Sequence, residues 1–195
     1  MGRYIGPKLR IERRLNGLVG FTTKTSKRSG SAVKSGGAPK KQTEYCIRLK
    51  EKQKLKYNYG VLEKQLFNYM CKAKRLKGSA TKNLMNLIEM RLDCIVYRLG
   101  LSSSIPAARQ LVNHGHIAVN GKRVSIPSYG CVENDTISML KENSELENFG
   151  LGRKIPDHLE LDINNKSGKV LSTECTDYTI DVNEGLIIEY YSRKL

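Results

Sequence analysis

The sequence predicts an α+β fold: a basic extended N-terminal arm, a run of helices, and a small antiparallel sheet. Three observations carry this. Residues 1–42 hold eleven Lys or Arg against a single acid, Glu12, and little that a core could use. From Glu44 to Gly100, apolar residues recur at helical spacing. Beyond them, alternating apolar residues flank Asn120-Gly121, the strongest short-range hairpin signal.

The arm comes first. Its stretch "TTKTSKRSGSAVKSGGAPKK" mixes Ser, Thr, Gly and Lys, so the entropy of ordering it goes uncompensated in the free chain. A flexible linker accounts for the glycines but not for the cations. An arm that orders against phosphates accounts for both.

From Glu44, "EYCIRLKEKQKLKYNYG" is charged and rich in helix formers. Leu62, Leu66 and Met70 then stand at four-residue steps, and Phe67 and Leu76 widen the stripe. Lys64, Lys72, Lys74, Arg75 and Lys77 make the reverse face basic, and Gly78 ends this helix. Ser79 or Thr81 caps the next. That helix is expected to run unbroken past Leu84, Leu87, Ile88, Leu92, Ile95 and Leu99 to Gly100.

A short helix follows. Ser103 or Ser104 caps it, Pro106 occupies its first turn and Gly115 closes it. Ala108, Leu111 and Val112 form its buried side, which leaves Arg109 and Gln110 pointing elsewhere. Ile117 and Val119 lead into a two-residue type I′ turn at Asn120-Gly121. Lys122 and Arg123 begin the return, and Val124 and Ile126 are expected to face inward.

The net charge of +15 on 195 residues is a statement about partners, either polyphosphate or an anionic membrane surface. No apolar run approaches the ~18 residues of a spanning helix. The opening "MGRYIG" has Gly6 where a myristoylation signal needs Ser or Thr, and no signal-peptide core follows. Nucleic acid is therefore the expected partner, with no membrane. Residues 1–90 hold most of the positive excess, while acids outnumber bases in residues 141–195. Cys46, Cys71, Cys94, Cys131 and Cys175 include no Cys-x-x-Cys pair. Reduced thiols are expected, without a zinc knuckle or a disulfide framework.

His114 and His116 straddle Gly115 with no Cys, Asp or Glu beside them to complete a ligand set. They read as RNA contacts or as plain loop residues. Arg98, Arg109, His114, His116, Asn120, Lys122 and Arg123 are expected to line one concave edge. Arginine forks match phosphate oxygens there, and amide and imidazole groups reach ribose or base edges.

The run "RLDCIVYRLGLSSSIPAARQLVNHGHIAVNGKRVSIPSY" resembles the RNA-binding module named after small-subunit ribosomal protein S4. "RYIGPKLRIERRL", "YCIRLKEKQKLKYNYGVLEKQLFNYM" and "LIIEYYSRKL" resemble other blocks of the S4 family. Together they cover nearly the whole chain. The resemblance implies an arm (1–42), a helical domain (43–90, completed by 184–195) and an inserted S4-type module with a small antiparallel sheet (91–183). It implies a structural constituent of the small ribosomal subunit that binds the five-prime domain of small-subunit ribosomal RNA in assembly. It also implies neighbouring small-subunit proteins including S5, a place where messenger RNA enters, and a role in translational accuracy. The candidate RNA-binding residues are Arg3, Tyr4, Lys8, Arg13 and Arg14 in the opening block, Arg48, Lys52 and Lys54 in the middle block, and Lys72 and Arg75 on the basic helix face, with Arg98, Arg109, Gln110, His114, His116, Asn120, Lys122 and Arg123 in the module.

Some bacterial members bind zinc through arm cysteines. This arm has none, so no metal and no cofactor are expected. Asn134 stands where Gly is commoner, in a turn whose left-handed geometry Asn tolerates. Residues 141–169 match the family poorly. A pseudouridine synthase carrying the same module is the enzymatic alternative, with Asp93 of "RLD" as its candidate aspartate. Here that triplet opens the module, and the 69 residues after Ile126 are too few for a catalytic domain. Asp93 is instead expected to hold Arg91 or Arg98, and no enzyme is expected. A free RNA-binding regulator or ribosome-rescue factor is the other alternative, but such proteins are usually shorter and lack the "RLKEKQK" block, and the long basic arm argues for burial in RNA. "EYYSRKL", "SIPAARQLVNHGHI" and the cysteine-free arm resemble plastid members. With no transit segment before "MGRY", the expectation is synthesis and residence in the plastid stroma, with a bacterial cytoplasm as the alternative.

Overall fold

The computed structural model describes residues 4–24, 42–140, 154–162, 167–175 and 177–192. Its helices are α1 (Lys8–Leu15), α2 (Glu44–Asn58), α3 (Glu63–Arg75), α4 (Ala80–Glu89), α5 (Leu92–Arg98), α6 (Ile105–Asn113) and α7 (Glu184–Ser192). Its strands are β1 (Ile117–Val119), β2 (Lys122–Arg123), β3 (Thr136–Met139), β4 (Leu159–Asp162) and β5 (Ser167–Val170). The chain forms two units, Met1–Thr81 with Thr179–Leu195, and Lys82–Tyr178. Their junctions fall early in α4 and ahead of α7.

In the first unit, α1 ends where Asn16 and Gly17 take positive φ, 55° and 75°. Behind it Leu15, Leu18 and Phe21 are buried, and the Gly20 N–H donates to Asn58 Oδ1 at 2.9 Å. The arm thus has a packed beginning. Three apolar residues at three-residue steps suffice to pin it to α2, although cations surround them. Most of the Ser/Gly/Lys stretch, residues 25–41, lies outside the described residues.

Thr43 caps α2, its Oγ1 accepting from the Cys46 N–H at 3.3 Å. On α3, Leu66, Met70 and Ala73 are fully buried, while Lys64, Lys72, Lys74 and Arg75 are exposed. The amphipathic reading holds there, except that Leu76 lies past the helix end and is half exposed. Helix α7 buries Ile187, Tyr190 and Tyr191, packing along α2 and touching α3.

In the second unit, the helix expected to run unbroken to Gly100 is two helices. Arg91 is extended (φ −74°, ψ 141°) and forms an isolated bridge with Gly130. Leu92 N–H donates to Tyr129 O at 2.9 Å, and Cys131 N–H to Met90 O at 2.8 Å. Pairing with the 129–131 segment replaces the helical bonds lost at the break. Every residue from Leu92 to Tyr97 is buried.

Ser104 caps α6, accepting from the Ala107 N–H at 3.4 Å, and Gly115 (φ 72°) closes it. The turn joining β1 to β2 has φ of 50° at Asn120 and 75° at Gly121, as type I′ requires. The antiparallel sheet runs β2-β1-β3-β5-β4. All of β1 is buried. Gly168 in β5 leaves room for Leu99, which a side chain there would strike. Val124 is half-buried, but Ile126 is 57% exposed and does not turn inward, since the return strand ends at Arg123.

Candidate nucleic-acid interface

Helix α6 and the β1–β2 hairpin together place one group of predicted residues. Arg123 Nη2 donates to the His114 carbonyl at 3.2 Å, where α6 ends. Its guanidinium lies where a side chain on Gly115 would have to go. The His114 and His116 rings stand 6.1 Å apart at 50°. Gln110 precedes His114 by one turn on the exposed side of α6, and Lys122 is exposed beside Arg123. This corner therefore gathers Gln110, His114, His116, Lys122 and Arg123.

Asn120 sits at the same turn, but its amide serves the fold. Its Oδ1 accepts from the Thr136 N–H at 2.9 Å, and its Nδ2 donates to Asp135 Oδ1 at 2.8 Å. Asp135 also accepts from Val132 N–H at 2.9 Å, fixing the turn at Asn134, where φ is 67°.

Arg109 and Arg98 turn inward. Asp93, with no exposed side-chain surface, accepts from Arg91 Nε and Nη2 at 3.0 and 2.9 Å. Its Oδ2 also accepts from Arg109 Nε and Nη2, at 3.0 and 2.6 Å. Asp93 thus holds Arg91, as expected, together with Arg109 rather than Arg98. Arg98 donates to Glu89, itself fully buried, at 3.3 and 3.0 Å, and to the Asp177 carbonyl. A carboxylate buried this deeply needs such partners, and guanidinium forks supply them.

In the first unit, Lys52 is 3% exposed. Its Nζ donates to Glu63 Oε1 at 2.8 Å and sits 4.5 Å from the Tyr190 ring centroid. Tyr191 donates its hydroxyl to the same Glu63 oxygen at 3.0 Å. Burial opposes ionisation of Glu63, but the bonds from Lys52 and Tyr191 and the charges of Lys52 and Lys56 win and lower its pKa. The cluster ties α2, α3 and α7 together.

Arg48 bridges Glu189 (2.6 Å) and Glu44 (3.0 Å), and Lys54 pairs with Glu51 (2.7 Å). Lys72 and Arg75 lie on the open basic face of α3. Arg13 and Arg14 are exposed on α1, and Lys8 Nζ sits 5.7 Å from the Phe21 centroid. Tyr4 is 40% exposed. Arg3 lies outside the described residues.

Among the described residues, no group of three or more His, Cys, Asp or Glu is placed to hold a metal ion. Burial pushes the Cys131 and Cys175 thiols up to about 12, so they remain protonated and behave as apolar groups. None of the helices among these residues is long and apolar enough to cross a membrane.

Comparison with known proteins decides the family. Residues 3–89 match the Ribosomal protein S4/S9 N-terminal domain, and residues 90–137 match the S4 domain. The chain is 51% identical to the small ribosomal subunit protein uS4 of Thermosynechococcus vestitus. It is 52% identical to uS4c of Rhodomonas salina and 50% identical to uS4c of Pyropia yezoensis, each time across 100% of both chains. The chain belongs to the uS4 family.

The two regions matched in this uS4-family chain meet at 89/90, where α4 gives way to the break at Arg91. Arg10, left out of the predicted set, is exposed on α1. Lys64 and Lys74, which helical spacing had already put on the basic face of α3, are exposed there with Lys72 and Arg75. Phe21 and Tyr57, which contact Tyr4, carry no such signal because they come from distant segments.

Proposed function

We propose that this chain is a structural constituent of the small ribosomal subunit and acts by binding RNA without chemistry. The observation that carries this reading is end-to-end identity of about half with relatives named small ribosomal subunit protein uS4. The RNA is small-subunit ribosomal RNA, in its five-prime domain, bound during assembly. Neighbouring subunit proteins including S5, messenger RNA where it enters, and an influence on accuracy complete the reading. Plastid forms among the relatives support residence in the plastid stroma, while cyanobacterial relatives support a bacterial cytoplasm.

The exposed cations divide into two proposed contact surfaces. One is the corner of Gln110, His114, His116, Lys122 and Arg123. The other comprises α1 with Tyr4, Lys8, Arg13 and Arg14, and the α3 face with Lys72 and Arg75. Arg3 is proposed with the α1 group from its place in the sequence. Arg48 and Lys54, though ion-paired, retain some exposed side chain for phosphate. Lys52, Arg98, Arg109 and Asn120 contribute by positioning these surfaces. The burial of Asp93 under two arginines supports the same role for it, and no catalytic one.

The test is equilibrium binding of the full chain to a transcript of the five-prime domain and to an unrelated transcript of equal length. The reading predicts tighter binding to the first, with affinity falling steeply as salt rises. Equal affinity for both would defeat it.

A further inference from the structure

Tyr4, Phe21 and Tyr57 form a ring cluster beside α1. The Tyr57 and Tyr4 planes stand 80° apart with centroids at 5.4 Å, and Phe21 lies 6.4 Å from Tyr4 and 6.1 Å from Tyr57. Phe21 is buried, whereas Tyr4 keeps 40% of its surface open. The backbone holds the Tyr4 ring from another side. A Cβ on Gly6 would lie 2.5 Å from Tyr4 Oη and 2.6 Å from Cζ. Only glycine at position 6 leaves the ring where it is.

Cations flank the cluster. Lys8 Nζ is 5.7 Å from the Phe21 centroid and Lys56 Nζ is 5.6 Å from that of Tyr57. Lys56 also lies 3.7 Å from Glu63. Arg10, Arg13 and Arg14 are exposed on α1. An aromatic ring already fixed in place loses little rotamer freedom when something stacks on it. Beside phosphate-seeking charge, that is the composition of a stacking platform for single-stranded nucleic acid. An apolar protein partner would suit the ring but not the cations around it.

We infer that Tyr4 is a stacking platform for one unpaired base of the bound RNA, with the flanking cations facing the adjacent phosphates. The inference rests on the RNA-binding reading and adds to it a contact that salt does not screen.

The test binds the full chain and its variants to the five-prime-domain transcript across a range of salt. Tyr4→Leu is expected to weaken binding about tenfold, the order of one stacked base, with the salt slope unchanged. Tyr4→Phe is expected to keep native affinity. Gly6→Ala keeps every charge and ring but displaces Tyr4, so it loses the same factor. The double variant Gly6→Ala, Tyr4→Leu then loses no more than either alone. Tyr4→Leu binding within roughly twofold of the native chain, or equal losses for Phe and Leu, overturns the platform and leaves the RNA-binding reading intact. Failure of the native chain to prefer this transcript removes both.

Discussion

Arg109 Nη2 lies 2.6 Å from Asp93 Oδ2, and through this pair α6 is tied to α5. Arg91 shares the same carboxylate, so one fully buried acid carries two guanidinium groups. Arg109, a candidate RNA contact by its place in the sequence, thus spends its fork on the interior.

Arg109→Ala is therefore expected to destabilise the fold. Removing one partner of a buried pair costs roughly 3–5 kcal/mol. Arg91 still covers Asp93, so about 1–3 kcal/mol is expected here. The measurement is denaturant unfolding of the full chain. An unchanged midpoint, with RNA affinity lost, would make Arg109 a direct contact instead.

Lys122→Ala with Arg123→Ala has the opposite signature. Both residues are exposed, and among the described residues the Arg123 side chain donates one hydrogen bond, to the His114 carbonyl. Stability is expected to change by less than about 1 kcal/mol. RNA affinity falls, and the log–log salt slope drops by roughly 0.7–0.9 for each lost phosphate contact. Binding titrations at several salt concentrations check this, and an unchanged slope would remove the hairpin corner from the interface.

Phe21→Ala tests the packed beginning of the arm. Phe21 is buried with Leu15 and Leu18, so truncation is expected to cost about 3 kcal/mol. Gln in place of Lys27, Arg28 and Lys34 removes three positive charges, and is expected to lower the salt slope of RNA binding. An unmoved unfolding midpoint for Phe21→Ala would contradict the packing of Phe21, and an unchanged salt slope for the second variant would contradict the phosphate role of those cations.

Acid is expected to destabilise the fold in two separate windows. Burial lowers the pKa of His158, and the Glu89 charge offsets part of that. Glu63 is also lowered, against its burial, by Lys52 and Tyr191. For both groups the unfolded chain binds more protons than the fold, so stability drops as pH falls. The His158 contribution is lost below its ordinary 6.5, and that of Glu63 only below its ordinary 4.5. His158→Gln should flatten the stability curve from roughly pH 7 to 5, and Glu63→Gln only on the more acidic limb. Urea midpoints at stepped pH check both. A His158→Gln curve parallel to the native one in its window would contradict the assignment.

Features that depend on neighbouring residues were legible in the sequence. Asn120-Gly121 turns as its dipeptide requires, Ser104 caps α6, and Leu66 and Met70 face the core. The break at Arg91 was not legible. The stripe from Leu84 to Leu99 continues across it, and the residue that Arg91 pairs with there, Gly130, is far along the chain. The same holds for the interface. Helical periodicity placed Lys72 and Arg75 on open surface and the Asn120-Gly121 turn placed Lys122 and Arg123, but nothing near Arg109 or Lys52 in sequence says that Asp93 or Glu63 takes their charge.

The central claim is membership of a ribosomal particle. Its most direct test is fractionation of native ribosomes by sedimentation, with mass-spectrometric counting of this chain across the gradient. The account predicts one copy for each small subunit and none with free large subunits. Recovery only in the soluble fractions, away from every small-subunit peak, would contradict it.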